Sequence, residues 1–236
     1  MEPFLLSTES YLLKDQYPTS VLVAKTTSHM PVGELHGFLR LWVSEGIPFA
    51  FREIPMIYEA VREWLGNFLS VHPKTITIIG SARIGYSLAP PPDYGRPFRS
   101  SSDLDFVVVS ETLFSNLSQD FWNWKQGFAE GRVIPESPLR KKYWEENVKL
   151  VPINIRRGFI DGNKIPYRKE YSSAQKIGQA KYLVGEKLKI TTGAPLVRIA
   201  TFRIYRDWTA FADQQAINLK HTLGAVDLTN LTGPKE

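Results

Sequence analysis

Two segments near the start of the chain carry apolar residues at helical spacing. The first runs from Gly33 to Val43. The second begins at Pro55, and its apolar positions are Ile57, Ala60, Val61, Trp64, Leu65 and Phe68. Apolar residues three and four positions apart share one face of a helix, and proline suits the first helical turn. The pattern therefore predicts two N-terminal helices, within residues 31–70, that pack against a core.

Short apolar runs rich in β-branched residues predict strands elsewhere in the chain. The clearest are Thr75 to Ile79 and Leu104 to Val109, which are separated by a loop rich in Pro, Gly and Ser. Ser20 to Lys25 is a candidate short strand, and Lys149 to Arg157 is predicted as a strand despite Pro152. The residues that follow, with Asp161-Gly162 as a turn, predict a hairpin-like return.

Helix starts are marked by capping residues later in the chain. Ser110 and Ser137 each precede a segment with helical periodicity, and the first of these segments extends to about Glu130. Serine accepts a hydrogen bond from a free backbone N–H at a helix start. Two more helices are predicted, from Ser172 to Leu188 and from about Arg203 to Leu223. Because strands and helices interleave, the expected fold class is α/β (α+β).

We expect one compact unit over residues 1–236, since no segment has the composition of a long flexible linker. Within this unit the predicted parts are N-terminal helices at 31–70, a core at 71–160 and a basic helical part at 165–236. The 236 residues are 43% hydrophobic and 22% charged, which is ordinary for a globular protein.

The amino-acid composition limits where in the cell the protein is expected and which metal sites it can form. The chain has no cysteine, which excludes disulfides and thiolate metal sites. No apolar run reaches the length of a membrane-spanning helix, roughly 18 to 20 residues, and the first residues lack a signal-peptide pattern. We expect a soluble cytoplasmic protein with no membrane partner.

Charge is unevenly distributed along the chain. The formal net charge is +5, but residues 140–206 hold 16 Lys and Arg against 5 Asp and Glu. Such a segment attracts polyanions, which include nucleoside triphosphates and nucleic-acid backbones. Charged outer faces of ordinary solvated helices explain the same pattern equally well.

The candidate chemistry lies where the two clearest strands begin and end. The first strand ends in Gly80-Ser81, where glycine permits a sharp turn and serine supplies a hydroxyl, as phosphate binding requires. Asp103 and Asp105 alternate with Leu104 and Phe106, so both carboxylates project to one side of the second strand. Two adjacent carboxylates are costly without a cation, and Mg²⁺ or Mn²⁺ shared with nucleotide phosphates fits that need.

These residues carry a family resemblance. Gly80-Ser81, Gly85 and Ser102-Asp103-Leu104-Asp105, followed by Phe-Val-Val-Val, resemble the signature of the DNA polymerase β-like nucleotidyltransferase superfamily. The sequence is most similar to minimal nucleotidyltransferases associated with toxin–antitoxin and phage-defence systems. The likeness covers about residues 75–109, with a looser likeness in element order up to residue 157.

The resemblance implies a mixed sheet flanked by helices, which binds a nucleoside triphosphate such as ATP with Mg²⁺ or Mn²⁺. It also implies transfer of a nucleoside monophosphate to a hydroxyl. By this match Gly80, Ser81 and Ser102 belong to the nucleotide site, and Asp103 and Asp105 are the catalytic and metal-binding residues. The basic segment favours RNA, possibly tRNA, as acceptor, and a protein side chain is the other acceptor considered.

The chain departs from the superfamily pattern at two places. Twenty-one residues separate Ser81 from Asp103, and they include Arg96 and Arg99 beside the expected site. Such an insertion is a lid, a segment that grips the acceptor or the triphosphate, or a tolerated surface loop.

The second departure concerns the third carboxylate that active members usually carry on a later strand. In the predicted strand from Lys149, the corresponding residue is Asn154, and an amide cannot take a proton. Asp161 is the nearest later acid, although Asp-Gly is also typical of a turn. Arg83, after Gly-Ser, is a predicted phosphate contact, and Arg156, on the same side as Asn154, is a predicted phosphate or acceptor contact. Lys176 and Lys181 are candidates to line the cleft if the helix from Ser172 packs beside it, although solvent exposure is the simpler explanation for both.

Two alternatives to transfer onto RNA or protein therefore stay open. One is an enzyme that makes an oligonucleotide second messenger. The other is a catalytically weakened binding or partner protein that keeps the fold.

Overall fold

Four strands form one mixed sheet in the computed structural model, which describes residues 3–227. The strands are β1 (Ile76–Ile79), β2 (Leu104–Val109), β3 (Phe159–Asp161) and β4 (Ala200–Tyr205), and their order in the sheet is β1-β2-β4-β3. β2 pairs with β1 antiparallel and with β4 parallel, while β3 pairs with β4 antiparallel. The expected α+β class, with a mixed sheet flanked by helices, is confirmed.

Eight α-helices surround the sheet within residues 3–227. They are α1 (Ser20–Thr27), α2 (Val32–Phe38), α3 (Pro55–Leu69), α4 (Ser81–Ile84), α5 (Glu111–Ala129), α6 (Pro138–Arg156), α7 (Ser172–Ile190) and α8 (Trp208–Ala225). A π-helical segment, Leu39–Ser44, continues α2. Short 3-10 turns lie at Ser10–Leu12, Phe49–Phe51, Pro73–Thr75 and Gly162–Lys164. None of the helices in the described part of the chain is long and apolar enough to cross a membrane.

The predicted helix starts are confirmed by their capping contacts. Ser110 Oγ accepts a 3.2 Å hydrogen bond from the backbone N–H of Leu113, and Ser137 Oγ accepts one of 3.2 Å from Arg140. Pro55 occupies the first turn of α3. These contacts satisfy N–H groups that the first helical turn cannot pair internally. Local sequence therefore sets the starts of α3, α5 and α6.

The sheet buries apolar side chains on both faces. Leu104, Phe106 and Val108 of β2 join a core that includes residues of α3, α5 and α7. Val107 and Val109 point to the opposite face and join a second core, which includes residues of α2 and α8. A strand covered on both faces is apolar at consecutive positions rather than at alternate ones. This explains the unbroken apolar run at the end of β2.

Two predicted strands are wrong, because both segments lie in helices. Ser20 to Lys25 lies in α1, which Thr19 caps by accepting a 3.3 Å hydrogen bond from the N–H of Leu22. Lys149 to Arg157 falls almost entirely in the second half of α6, whose buried residues are Trp144, Asn147 and Val151. Positions 144, 147 and 151 follow helical spacing, so packing of one face maintains the helix through Pro152.

The predicted helix from Arg203 is also wrong at its start. Ala200–Tyr205 is the strand β4, and the following helix α8 begins at Trp208, where Asp207 accepts a 2.7 Å hydrogen bond from the N–H of Ala210. β4 lies inside the sheet, although it falls in the predicted helical part 165–236. Residues 228–236 of that part are outside the described residues. The hairpin-like return expected around Asp161-Gly162 is wrong, because β3 ends at Asp161 and pairs with β4, and a 3-10 turn follows at Gly162–Lys164.

Candidate functional site

The end of β1 and the start of β2 meet at one corner of the sheet. Ile79 pairs with Asp105 across the antiparallel strands. Gly80 follows with φ of +70°, and a Cβ atom placed on it would lie 3.3 Å from Oδ2 of Asp105. Positive φ values of this kind are accessible mainly to glycine. The structure thus places the Gly80-Ser81 turn directly against the second carboxylate.

A cavity of about 300 Å³ opens at this corner. Five residues predicted from sequence for the nucleotide and metal site line it, namely Gly80, Ser81, Ser102, Asp103 and Asp105. Arg96, from the insertion between the two strands, also lines it, together with Arg198 and Gln215. The volume lies at the lower end of the range for small-ligand sites, about 300 to 1,000 Å³. The cavity therefore combines two carboxylates, serine hydroxyls and two arginines in a space sized for a ligand.

Asp105 is held on the sheet by a neighbouring hydroxyl. Thr201 Oγ1 donates a 2.6 Å hydrogen bond to Oδ1 of Asp105, since the two residues are paired in register on β2 and β4. Burial raises the pKa of Asp105, the Thr201 hydrogen bond opposes that shift, and the nearby charge of Asp103 adds to it. A cation beside Asp105 would stabilise the charged form that burial disfavours.

Asp103 is paired with an arginine that sequence reasoning missed. Arg198 donates from Nε to Oδ1 at 2.9 Å and from Nη2 to Oδ2 at 2.8 Å. The backbone N–H of Arg198 also donates to the carbonyl of Ser102 at 2.9 Å, which anchors this segment beside Asp103. The Arg198 side chain is 69% exposed, so solvent competes for its contacts. One arginine thus balances part of the negative charge at the site.

Asn154 and Arg156, predicted as nucleotide contacts, are elsewhere in the molecule. Both lie in the last turn of α6, and neither lines the cavity that Asp103 and Asp105 line. Their assignment depended on a strand that does not form. The strand position beside Asp105 belongs instead to Thr201, on β4.

Asp161, the other candidate for a third acid, is paired with a different residue. It lies on β3 opposite Arg203, whose Nε donates a 2.5 Å hydrogen bond to Oδ1 of Asp161. Both side chains are partly buried. Removing one member of such a pair leaves an unbalanced buried charge, so the Asp161 carboxylate is committed to Arg203.

Arg83 is a packing residue rather than a phosphate contact. It is 1% exposed, and its guanidinium donates to the backbone carbonyls of Leu41, Glu45 and Ile47. Burial lowers the pKa of Arg83, and nearby tyrosines and Glu45 oppose that shift. Its side chain ties the helix after Gly80-Ser81 to the end of the π-helical segment. The prediction that Arg83 reaches a ligand is wrong.

The insertion after Ser81 forms an ordered loop beside the cavity. Its two arms are joined by hydrogen bonds from Ser87 N to Arg96 O at 2.8 Å and from Gly95 N to Ser87 O at 2.9 Å. Tyr94 donates from its hydroxyl to the carbonyl of Ser20 at 2.8 Å, which fixes the loop tip to α1. The loop therefore presents Arg96 to the cavity from a fixed position.

Two carboxylates are the metal-ligating side chains that the corner offers. Within residues 3–227, no group of three or more His, Asp or Glu side chains is arranged to hold a metal ion. A divalent cation such as Mg²⁺ usually keeps several waters and takes one or two carboxylates together with substrate phosphates. Asp103 and Asp105 fit that donor set when a nucleotide supplies the other oxygens.

Comparison of the chain with protein-family models, with curated proteins and with solved structures yields no match.

Proposed function

We propose that this chain binds a nucleoside triphosphate at the Gly80-Ser81 corner and transfers its nucleotidyl group to a hydroxyl acceptor. The proposal includes the fold, which we take to be that of the nucleotidyltransferase superfamily. The main observation behind the proposal is that Gly80 lies against the Asp105 carboxylate. This approach follows from the pairing of Ile79 with Asp105 on the antiparallel strands β1 and β2. That contact supports a single site for the phosphate-binding turn and the metal-binding carboxylates.

Each lining residue has a role in this proposal. Ser81 and Ser102 present hydroxyl groups to phosphate oxygens, and Arg96 offers a guanidinium to the phosphate chain. Arg198 is paired with Asp103, and its exposure leaves it free to turn toward a phosphate. Charge-assisted hydrogen bonds of this kind position the triphosphate for reaction.

Asp103 and Asp105 would hold Mg²⁺ or Mn²⁺ together with the phosphates. When bound, the ion supplies charge stabilisation at the phosphoryl oxygens and at the departing pyrophosphate. Thr201 holds Asp105 in position through its 2.6 Å hydrogen bond. The remaining work of the site is to orient the nucleotide and the acceptor.

The proposed transfer replaces pyrophosphate by the acceptor oxygen at the α-phosphorus of the nucleotide. The acceptor hydroxyl oxygen forms a bond to the α-phosphorus, and the bond from that phosphorus to the bridging oxygen breaks, which releases pyrophosphate. The acceptor proton passes to water in the open cleft, because no third carboxylate lines the cavity among the described residues. A missing general base lowers such rates by about 10²- to 10⁴-fold, so slow turnover is expected.

Incubation with each α-labelled nucleoside triphosphate and Mg²⁺ or Mn²⁺ tests the proposal. The reactions are run with and without cellular RNA or protein, and the labelled products are then separated into RNA, protein and free nucleotides. Label that appears on a macromolecule, with release of pyrophosphate, supports transfer. Label in a free oligonucleotide would instead indicate a second-messenger synthase.

A second function is favoured by one observation. Thr201, and not an acid, pairs with Asp105 on the adjacent strand. A binding or partner protein that retains the nucleotide site needs no proton acceptor there. Tight, metal-dependent nucleotide binding without any turnover, measured by calorimetry and by the labelling reaction, would identify this function.

A further inference from the structure

Two surface grooves continue from the nucleotide site around the end of β4. Arg198 lines both the site cavity and a groove between α7 and residues 195–200. Tyr167 and Lys181 line that groove and also a second one against α6. The two grooves therefore adjoin at these shared residues, and together we call them the basic groove. The basic groove begins at Arg198, the partner of Asp103, and ends on α6.

Positive charge dominates the basic groove. Its lining includes five cationic side chains, those of Arg140, Lys164, Lys181, Lys189 and Arg198. It includes two acidic side chains, of which Glu186 lies 2.6 Å from Lys189. An excess of cations along a groove attracts a chain of negative charges, such as nucleic-acid phosphates, and attracts a neutral peptide less.

Exposed tyrosines line the basic groove together with these cations. Tyr143, Tyr167 and Tyr182 line the groove, and Tyr182 is 66% exposed. The Tyr167 ring packs against Gly178 of α7, where a Cβ atom would lie 2.6 Å from Cγ of the ring. Aromatic rings on a cationic path are the arrangement on which successive unpaired bases stack.

A glycine leaves open space over α7 between two of the lysines. Gly185 lies in the helix between Lys181 and Lys189, and a Cβ atom placed there would meet nothing within 4 Å. Glycine inside a helix is less favourable than alanine by about 1 kcal/mol, so a larger residue here costs no helix stability. The position therefore allows the groove to be filled without strain.

We propose that the basic groove binds a single-stranded nucleic acid and leads its terminal hydroxyl to the nucleotide site. This inference rests on the proposed function, since it names the acceptor class for that transfer. The phosphates lie along Lys181, Lys189 and Arg198, and the bases stack on Tyr182 and Tyr167.

Binding of fluorescent 12-nucleotide U and dT oligomers, measured by anisotropy without any nucleoside triphosphate, tests the groove. Tyr182→Ala should weaken binding about fivefold or more, because one stacking platform is lost. Tyr11→Ala, which removes an exposed tyrosine far along the chain from the groove, is the matched control and should change binding less than twofold. Gly185→Leu should also weaken binding while its melting temperature is unchanged or higher.

Salt dependence separates specific contacts from general attraction. Lys181→Glu should lower the slope of log affinity against log salt by about 0.7, the value for one phosphate contact on a single strand. Lys74→Glu carries the same charge change before the start of β1, away from the site end of the sheet, and should leave the slope unchanged.

Three results would overturn the groove assignment. They are no oligomer binding at low salt, equal binding by the wild type and the Gly185→Leu protein, and equal binding of a 12-residue polyglutamate. Tighter binding of the U oligomer than of the dT oligomer identifies RNA as the preferred ligand. Equal affinity supports a groove that binds single-stranded RNA and DNA alike. Because the assay contains no triphosphate, failed labelling with retained oligomer binding would count against the proposed transfer and not against the groove.

Discussion

Asp105 and Thr201 lie opposite each other on the parallel strands β2 and β4, joined by a 2.6 Å hydrogen bond from the threonine hydroxyl. This pair marks the place where a third acidic side chain would adjoin the two carboxylates of the site. Thr201 orients Asp105 but cannot take a proton from an acceptor hydroxyl at neutral pH. The identity of this one residue bears on how fast the proposed reaction runs.

Thr201→Asp should therefore raise the rate of label transfer, by roughly 10- to 100-fold, since a general base contributes at least that much. Thr201→Asn is the matched control, because its side chain has similar size and no proton affinity. Steady-state rates under saturating nucleotide and Mg²⁺ make the comparison. Equal or lower rates in Thr201→Asp than in Thr201→Asn would exclude this position as the place of the missing acid.

Arg198 is paired with Asp103, and in the proposed reaction it exchanges this partner for a phosphate of the nucleotide. Arg198→Ala removes the guanidinium that holds both oxygens of Asp103. Mn²⁺ binding to the nucleotide-free protein, followed by electron paramagnetic resonance, should tighten by roughly two- to fivefold, in line with the strength of exposed ion pairs. Triphosphate affinity should weaken in the same variant. If Arg198→Ala bound both Mn²⁺ and nucleotide more weakly, that result would argue against Arg198 exchanging Asp103 for a phosphate.

The turn at Gly80 is expected to tolerate no side chain. Gly80→Ala places a Cβ atom 3.3 Å from Asp105 Oδ2 at a φ of +70°. Backbone conformations of this kind cost about 1 to 3 kcal/mol for residues other than glycine. Urea denaturation should show that loss in the free energy of unfolding. Gly37→Ala in α2 meets nothing within 4 Å and should be neutral or stabilising, so an equal loss in both variants would contradict the local explanation.

The raised pKa of Asp105 predicts a pH dependence of stability. Burial, the largest cause, raises this pKa above the ordinary value of 3.8, so the folded protein binds the proton more tightly than the unfolded chain. The resulting stability is full below that ordinary value and is lost as pH rises through the folded pKa.

Asp105→Asn lacks this titration. Without metal and nucleotide, its melting temperature should exceed that of the wild type at neutral pH, and the difference should shrink as pH falls toward 4. Thermal melts across that range measure the difference. A constant difference at every pH would show that charge on Asp105 is not the cause.

Much of the fold was predictable from local signals. Ser110 and Ser137 mark helix starts because each serine accepts a hydrogen bond from an N–H that the first turn leaves unpaired. Pro55 marks another because proline has no N–H to leave unpaired there. β2 matched its predicted limits, since a run of β-branched and aromatic residues between polar neighbours leaves few alternatives. These features depend on neighbouring residues and not on distant contacts.

Local sequence patterns predict the wrong element where distant packing decides the structure. The segment from Lys149 contains valine and isoleucine, which favour a strand locally, yet burial of Trp144 and Val151 maintains α6. The real adjacent strand, β4, carries a readable signal in which Ala200, Phe202 and Ile204 alternate with Thr201 and Arg203. That alternation predicts a strand at residues 200–205, and the pairing of β4 with β2 then places Thr201, and not Asn154, beside Asp105.

The corner itself was partly predictable. Gly80-Ser81 and the two aspartates were singled out by residue type and spacing, and they line one cavity. Arg198 lies 95 positions from Asp103 in sequence, so only the pairing of β4 with β2 brings it to the site. Contacts of this range follow from topology, which spacing alone does not determine.

Label transfer by the Asp103→Asn, Asp105→Asn double variant tests the central claim most directly. The wild type, incubated with α-labelled nucleoside triphosphates, Mg²⁺ or Mn²⁺ and a single-stranded acceptor, should place label on the acceptor. The double variant keeps the shape of both side chains and should show only background labelling. Undiminished labelling by the folded double variant would contradict the claim that these two carboxylates form the reaction site.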